Sequence, residues 1–508
     1  MKPTRDATDP GPRPGPADFG LPLQAAGASA FPPTPMPAAR PLRELPAPPA
    51  LPLLGHLLSL DRRRLQQQLE GWAATLGPLY RLQLGRRPVL VVADHALAQE
   101  VMRRRPQRVL RSPTTRRVCQ ELGVDGLFMS EGERWQALRR LTVRAFTPDM
   151  LRAFHPQLLA IGTRWRDRWV RAVEAGLSPD LARDLPRFSL EVGVALATGV
   201  DLGAGIGAGP GAGSQQLQAD IEFLIGQVWR RINSTVPLWR WFKTAPERAV
   251  DDAIARVRRA LLPLIEQARR HRSAHPDAAP RHLLDALLLA QARPEAGEHP
   301  IELSDEQLVR LLTELVFAGE DTSAYSLAWL LTHASRHPGA WHQLQTEIAH
   351  SCDPMGPPSY DSLRRLPYTE ALIQESQRLK PVISLLMFQS AEDQVVGGVR
   401  VPRGAGLMTL NRFSALQTGP EDRHEFRPER WLADDGQAAC PSSMPFGAGA
   451  RTCPGRYAAL LQMKTLLALL APVLDLLPSE APLPPEVLEV TLRPAALDLQ
   501  WRVRHARS

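Results

Sequence analysis

One segment near the carboxyl end constrains this chain more than any other. Residues 445–455 read Pro-Phe-Gly-Ala-Gly-Ala-Arg-Thr-Cys-Pro-Gly, and an apolar helix is predicted directly afterwards, over about 455–473. The glycines let the backbone turn tightly around a single cysteine, Cys453. Because Cys453 then stands at a helix amino terminus, unpaired N–H groups and the helix dipole favour its thiolate.

Two ordinary interpretations of this segment compete. Gly447-x-Gly449 could be a fragment of a dinucleotide-binding loop, but the third glycine is missing and no clear strand precedes it. Cys453 could also be a buried structural thiol, which is the usual state of a lone cysteine. Against both, the segment fits Phe-x-x-Gly-x-Arg-x-Cys-x-Gly at every fixed position.

That pattern resembles the haem-binding segment of the cytochrome P450 family of haem-thiolate monooxygenases. The resemblance implies that Cys453 is the axial ligand of the iron of haem b and favours cleavage of the O–O bond. It also implies that Phe446 packs beside the thiolate and that Arg451 pairs with a haem propionate. Gly447 and Gly455 are expected among the cofactor-binding residues.

A second motif lies midway along a long helix predicted over 304–335. Residues 318–323 read Ala-Gly-Glu-Asp-Thr-Ser, and glycine within a helix costs about 1 kcal/mol relative to alanine. An ordinary polar helix face with a tolerated glycine is one interpretation. The family resemblance implies another, in which the helix crosses the haem and loosens at Ala318 and Gly319 to admit dioxygen. Thr322 would then hydrogen-bond the dioxygen, and Asp321, with Glu320, would deliver protons.

Two weaker motifs agree in order and spacing. Glu375 and Arg378 stand at i, i+3 on a predicted helix, and Pro-Glu-Arg follows at 428–430. By resemblance, Glu375, Arg378 and Arg430 form a buried structural network that fixes the loop ahead of Cys453. Trp135 and Arg139, at i, i+4 on a predicted helix, are expected to bind haem propionates. The resemblance covers roughly residues 45–505.

The predicted architecture is the P450 fold, mainly α with a small β region. Residues 1–48 are rich in Pro, Ala and Gly and are predicted to be disordered, and residues 49–508 are predicted to form a single domain. A strand pair is predicted at 79–84 and 88–92. The segment 410–425 departs from the family pattern, because Asn-Arg-Phe-Ser-Ala stands at 411–415. Many members of the family it resembles supply a further arginine to a propionate after the position of Lys380-Pro381, but residues 382–389 contain none. The resemblance therefore leaves the propionates to Arg139 and Arg451, with help from Trp135.

Charge and composition restrict the partners. The chain has 508 residues and a formal net charge of +8, but its basic residues are dispersed and no nucleic-acid motif accompanies them. Every long apolar stretch is interrupted by charge, so we expect no membrane span and a cytoplasmic location. We also expect a monomer. Four scattered cysteines suit a reducing compartment.

Electrons are expected from separate proteins, a ferredoxin or flavodoxin with its NAD(P)H reductase. These carriers are acidic, and the face toward them is expected to carry five cations: Arg134, Arg140, Arg144, Arg456 and Lys464. The substrate is expected to be an apolar small molecule. Two alternatives remain open: a peroxide-driven or isomerising haem-thiolate enzyme, and a non-catalytic haem sensor or binding protein.

Overall fold

Helices make up most of the fold. The computed structural model of the protein describes residues 39–203, 211–234, 236–294, 301–353, 356–417, 421–432 and 443–504. The α-helices within these ranges are α1 (Leu65–Leu76), α2 (His95–Arg103), α3 (Pro113–Glu121), α4 (Gly132–Ala145), α5 (Pro148–Glu174), α6 (Leu181–Thr198), α7 (Gly211–Ile232), α8 (Ala245–Ala274), α9 (Leu283–Ala292), α10 (Asp305–Arg336), α11 (Pro338–Ser351), α12 (Tyr360–Arg364), α13 (Pro367–Leu379), α14 (Asn411–Gln417) and α15 (Arg456–Leu470).

Short strands complete the fold. Those in the described residues are β1 (Arg40–Pro41), β2 (Leu79–Leu84), β3 (Arg87–Val92), β4 (Val109–Arg111), β5 (Leu385–Ser390), β6 (Gln394–Val396), β7 (Val399–Val401), β8 (Gly406–Leu410), β9 (Leu474–Leu476), β10 (Glu486–Leu488), β11 (Leu492–Pro494) and β12 (Trp501–Val503). The mainly α fold class with a small β region is therefore confirmed.

The largest sheet joins strands from distant parts of the chain. Its order is β2-β3-β8-β5-β4, and the predicted hairpin supplies β2 and β3. β3 pairs with β8 in parallel, with Val89 opposite Gly406, and the other neighbours are antiparallel. One face of this sheet packs Tyr80 and Leu82 against Leu69 of α1, and all three side chains are fully buried.

The central element is α10. The Ser304 hydroxyl accepts a hydrogen bond from the Gln307 N–H, and the Gln307 side chain accepts one from the Ser304 N–H. This capping box defines where the helix starts. The helix is buried on most sides because α6, α8, α13 and α15 all pack against it. The segment at 318–323 therefore belongs to a helix that contacts α15, the helix that follows Cys453.

One sequence expectation about the domain boundary needs correction. The boundary predicted at residue 48 lies too late, because Arg40 pairs in parallel with Val399 and because Leu42 and Leu45 are buried against the sheet of β6 and β7. Apolar contacts made with a distant segment thus order 40–48. The prediction of disorder for residues 1–38 lies outside the described residues.

The atypical segment at 411–415 begins a short helix, α14. Arg412 is buried there, and its guanidinium forms ion pairs with Glu70 of α1 and Glu486 of β10. Lys380 also pairs with Glu486. The departure from the family pattern therefore provides a buried cation that joins α1, α14 and the β10–β11 hairpin.

Among the helices of the described ranges, none has a stretch long and apolar enough to cross a bilayer.

Candidate active site

A tight turn presents Cys453. Gly447 and Gly449 both have positive φ, at 75° and 74°, and the Cys453 N–H donates to the carbonyl of Phe446 at 2.9 Å. A Cβ on Gly449 would lie 2.9 Å from Cα of Arg103, so backbone from the end of α2 fills the space beside this glycine. Glycine is needed at residue 449 both for the left-handed conformation and for this close approach.

The Cys453 side chain is accessible and lies just before α15. Surrounding protein raises the pKa of the Cys453 thiol, while the Gly455 N–H and the charges of Arg139 and Arg456 lower it. The effect predicted for a helix amino terminus is therefore present, but desolvation outweighs it in the free chain. Binding of a metal cation favours the deprotonated form of a thiol ligand.

The middle of α10 has an open face. Ala318 is exposed although it lies within a buried helix, and a Cβ on Gly319 would meet nothing within 4 Å. The Thr322 hydroxyl donates to the Ala318 carbonyl at 2.7 Å. The helix Asp305–Arg336 continues without a break through these residues, so the local loosening expected from the sequence is not seen.

Two acids on α10 have raised pKa values. Burial raises the pKa of Glu320 to about 9, with help from the charges of Asp321 and Glu222. Burial also raises the pKa of Asp321 to about 6; the charge of Glu489 raises it further and that of Arg493 lowers it. Asp321 can therefore exchange a proton near neutral pH, whereas Glu320 holds its proton there.

Arg451 and Trp135 meet in the structure. The Arg451 guanidinium carbon lies 4.6 Å from the centre of the Trp135 ring, and Nη2 donates to the Ser130 carbonyl at 2.7 Å. Glu131 forms an ion pair with the same guanidinium. Burial lowers the pKa of Arg451 to about 10, with Arg139 adding a like charge. The motif residues Trp135, Arg139 and Arg451 thus share one cationic region.

Arg105 is a member of this region that the sequence analysis missed. It follows α2, is only 3% exposed, and stacks its guanidinium 4.6 Å from the centre of the Phe388 ring. Burial lowers its pKa to about 9, and Arg451 contributes like-charge repulsion. No short motif contains Arg105. The one available signal was the lack of an arginine after Lys380-Pro381. This lack indicates that another part of the chain supplies a cation to a propionate.

These residues fit a haem. Nη2 of Arg105 and both Nε and Nη1 of Arg451 are buried donors without a hydrogen-bond partner in the described ranges. Unsatisfied buried guanidinium groups are costly, and two together indicate an anionic ligand such as a pair of propionates. The open space at Gly319 and the accessible thiol of Cys453 are also features that a bound cofactor would cover.

Glu375, Arg378 and Arg430 lie together at the end of α13. Arg378 donates from Nε and Nη2 to Glu375 at 2.8 Å each, and Arg430 donates from Nε at 2.9 Å. Glu375 also accepts from the Arg427 N–H at 3.0 Å and the Trp431 indole at 2.9 Å. Through these contacts α13 holds the segment 427–431.

One of the five cations expected at the face for the electron carrier is not available there. Lys464 is 5% exposed, and its Nζ donates to Glu370 at 2.9 Å, because its side chain lies between α15 and α13 rather than toward solvent. The other four lie on α4 or at the start of α15: Arg134, Arg140, Arg144 and Arg456.

A helical body that holds cationic donors near one accessible cysteine is the framework of a haem-thiolate protein. Comparison with known families identifies which haem-thiolate proteins it resembles. The sequence model of Cytochrome P450 matches residues 45–498. The chain belongs to the cytochrome P450 family, as its motifs predicted. It is a monooxygenase whose cofactor is haem b, and enzymes of this family act on small molecules with electrons from redox partners.

Several curated relatives align over most of their length. Steroid 21-hydroxylase of Sus scrofa is 28% identical over 461 residues, covering 87% of this chain and 88% of the relative. Cyclooctat-9-en-7-ol 5-monooxygenase of Streptomyces melanosporofaciens is 28% identical, with 86% and 90% covered. The mitochondrial 25-hydroxyvitamin D-1 alpha hydroxylase of Homo sapiens is also 28% identical, with 91% and 93% covered.

Proposed function

We propose that this enzyme inserts one oxygen atom of O₂ into a largely apolar small molecule, by hydroxylation or epoxidation. Two electrons and two protons balance the reaction, and the second oxygen atom leaves as water. The observation that carries the proposal is Asp321, with a pKa near 6, directly beside Thr322 on the open stretch of α10. The names of the relatives, several of them hydroxylases, support this reaction class.

Four residues and Cys453 would bind the cofactor. Haem b supplies the redox-active iron when it is bound. Cys453 would hold the iron, while Arg105, Arg451 and Trp135, with Arg139, would hold the propionates through charge-assisted hydrogen bonds.

Proton delivery falls to the residues of α10. Thr322 can turn its hydroxyl from the Ala318 carbonyl toward a ligand in the cleft, because that hydroxyl is free to rotate. Asp321 can pass protons to it from solvent near neutral pH. Glu320 is a proton reserve, since it stays protonated at that pH.

The electron source is proposed to be a ferredoxin or flavodoxin with its NAD(P)H reductase. Such carriers are acidic, and α4 contributes Arg134, Arg140 and Arg144 to the expected docking face. Charge steering predicts that the association rate falls steeply as salt is added. Arg140→Glu should slow association more than Arg270→Glu, an exposed change on α8; a rate insensitive to both salt and Arg140→Glu would refute the steering. The monomeric state and the cytoplasmic location stay predictions.

The first test is the absorbance difference spectrum of the dithionite-reduced protein with and without carbon monoxide. Thiolate ligation by Cys453 predicts a strongly red-shifted Soret band, which Cys453→Ser should abolish. A band typical of a neutral ligand in the wild type would refute thiolate ligation by Cys453. Product formation driven by NAD(P)H and a carrier pair then tests the reaction itself.

Two other activities are distinguished by the same preparations. A peroxide-driven or isomerising enzyme would use Cys453 without the acid–hydroxyl pair, so Thr322→Ala should leave its turnover nearly unchanged. A haem sensor or binding protein would show no NAD(P)H-driven turnover with any carrier pair. The presence of both Asp321 and Thr322 favours the monooxygenase.

A further inference from the structure

A large groove lies apart from the motif residues. Its volume is about 1140 Å³, and its walls come from residues 62–64, the end of α7 with the following segment 236–244, and the β10–β11 hairpin. One part of the wall is apolar and is formed by Trp229, Trp239, Phe242 and Leu488. The remainder carries charged side chains, so the groove is amphipathic.

The carboxylates in the wall are already neutralised. Glu247 pairs with Arg230 at 2.6 Å and also with Arg231. Glu489 pairs with Arg493 at 3.0 Å. The third carboxylate, that of Glu486, forms ion pairs with Lys380 and Arg412. The three carboxylates of the wall are therefore each paired with a cation and do not neutralise the other arginines of the groove.

The segment ahead of α1 adds positive charge to the same wall. Arg62, Arg63 and Arg64 line the groove and are exposed. The backbone N–H groups of Arg63 and Arg64 donate to the Asp61 carboxylate at 3.0 and 3.4 Å, which fixes the turn. In the part of the chain that the structure describes, the guanidinium groups of Arg63 and Arg64 have no hydrogen bond or ion pair.

The groove is connected to α10 by the hairpin. β11 packs on α10, and the charge of Arg493, which lines the groove, acts on Asp321. The hairpin that forms one wall of the groove therefore also lies against the helix that carries Thr322. Arginine pairs are well suited to a carboxylate, which they bind by charge-assisted hydrogen bonds.

We propose that this groove binds the carboxylate of an amphipathic organic acid, with Arg63 and Arg64 at the carboxylate and Trp239 and Phe242 against the apolar body. This inference rests on the proposed function, and it narrows the substrate class from apolar molecules in general to apolar molecules with one acidic end. Arg63 and Arg64 are specificity-determining residues in this account, because they select the acid over a neutral molecule of the same length.

Calorimetric titration of the full-length holoprotein with decanoate and with 1-decanol tests the proposal. We expect decanoate to bind about tenfold more tightly, a difference of about 1.4 kcal/mol. The double variant Arg63→Gln/Arg64→Gln should lose that tenfold advantage and leave 1-decanol unaffected, and Arg63→Lys/Arg64→Lys should restore part of it. Arg86→Gln/Arg87→Gln, another exposed adjacent pair, is the matched control and should behave as the wild type.

Three results would overturn the proposal. Decanoate and 1-decanol could bind equally to the wild type, or the control pair could weaken decanoate as much as the groove pair. Binding to phosphatidylglycerol vesicles without binding of free decanoate would assign the arginines to a lipid surface instead. Titration measures binding and does not depend on turnover. If the carbon monoxide spectrum showed no red-shifted band but the preference for decanoate were retained, the proposed function would be refuted and the binding proposal would stand.

Discussion

Replacing Glu375 by glutamine should destabilise the whole fold. Glu375 is fully buried and accepts five hydrogen bonds, from Arg378, Arg430, Trp431 and the backbone of Arg427. The change leaves two buried guanidinium groups without their carboxylate. Removing one partner of a buried ion pair costs about 3–5 kcal/mol, and we expect a loss of this size in the free energy of unfolding.

Urea unfolding followed by circular dichroism measures this loss, and haem content per chain shows whether the segment 427–431 is still positioned. Asp361→Asn is the matched control. Asp361 also pairs with one arginine through two hydrogen bonds, of 2.6 and 2.8 Å to Arg152, but both side chains are about half exposed. Solvent screens such a pair, so the control should change little. If both variants unfold at the wild-type urea concentration, burial of the network contributes nothing and the reasoning fails.

The same network gives a dependence on pH with a definite sign. Hydrogen bonds from the arginines hold the pKa of Glu375 below its ordinary value of 4.5, despite its burial. A carboxyl with a depressed pKa in the folded state stabilises that state above its unfolded pKa and loses this contribution as pH falls through the folded pKa. The stability difference between wild type and Glu375→Gln should therefore be full at neutral pH and shrink below pH 4.5. A difference that grows on acidification would contradict the assignment.

Four further changes test the site. Thr322→Ala should keep NAD(P)H consumption but divert it to peroxide and water, which product and peroxide yields per NAD(P)H would show; unchanged yields would favour the peroxide-driven alternative. Asp321→Asn should slow product formation by about 10²-fold or more and remove the limb near pH 6 from the pH–rate profile; a retained limb would assign it to another group. Arg105→Gln should speed transfer of haem to apomyoglobin, whereas the exposed Arg103→Gln should not; equal rates would exclude a propionate contact. Gly449→Ala places a side chain at φ 74° and 2.9 Å from Cα of Arg103, so it should cost at least about 1–2 kcal/mol in urea unfolding and lower the haem content; wild-type values would show that the turn relaxes freely.

The electrostatics of α10 depended on the tertiary structure. The sequence placed Glu320 and Asp321 side by side, and nothing local distinguishes two adjacent carboxyls. Burial raises the pKa of Glu320 to about 9, and the charges of Asp321 and Glu222 add to the rise. Burial raises the pKa of Asp321 to about 6, where Glu489 of a distant hairpin raises it further and Arg493 of the same hairpin lowers it. The difference between a proton donor and a proton reserve therefore comes from desolvation and from charges that the fold brings near.

The sequence by itself determined what could be read from local patterns. The turn around Cys453 and the strand pair of β2 and β3 follow from glycine spacing and apolar periodicity over short windows. The family was recognised from the resemblance of short motifs with fixed residues, above all the one that contains Cys453. The tertiary structure decided the rest: Arg105 joins Arg451, Lys464 is buried against Glu370, and Arg412 pairs with Glu70 and Glu486. A local pattern specifies backbone conformation, but a charge obtains its partner and its degree of burial only when segments hundreds of residues apart pack together.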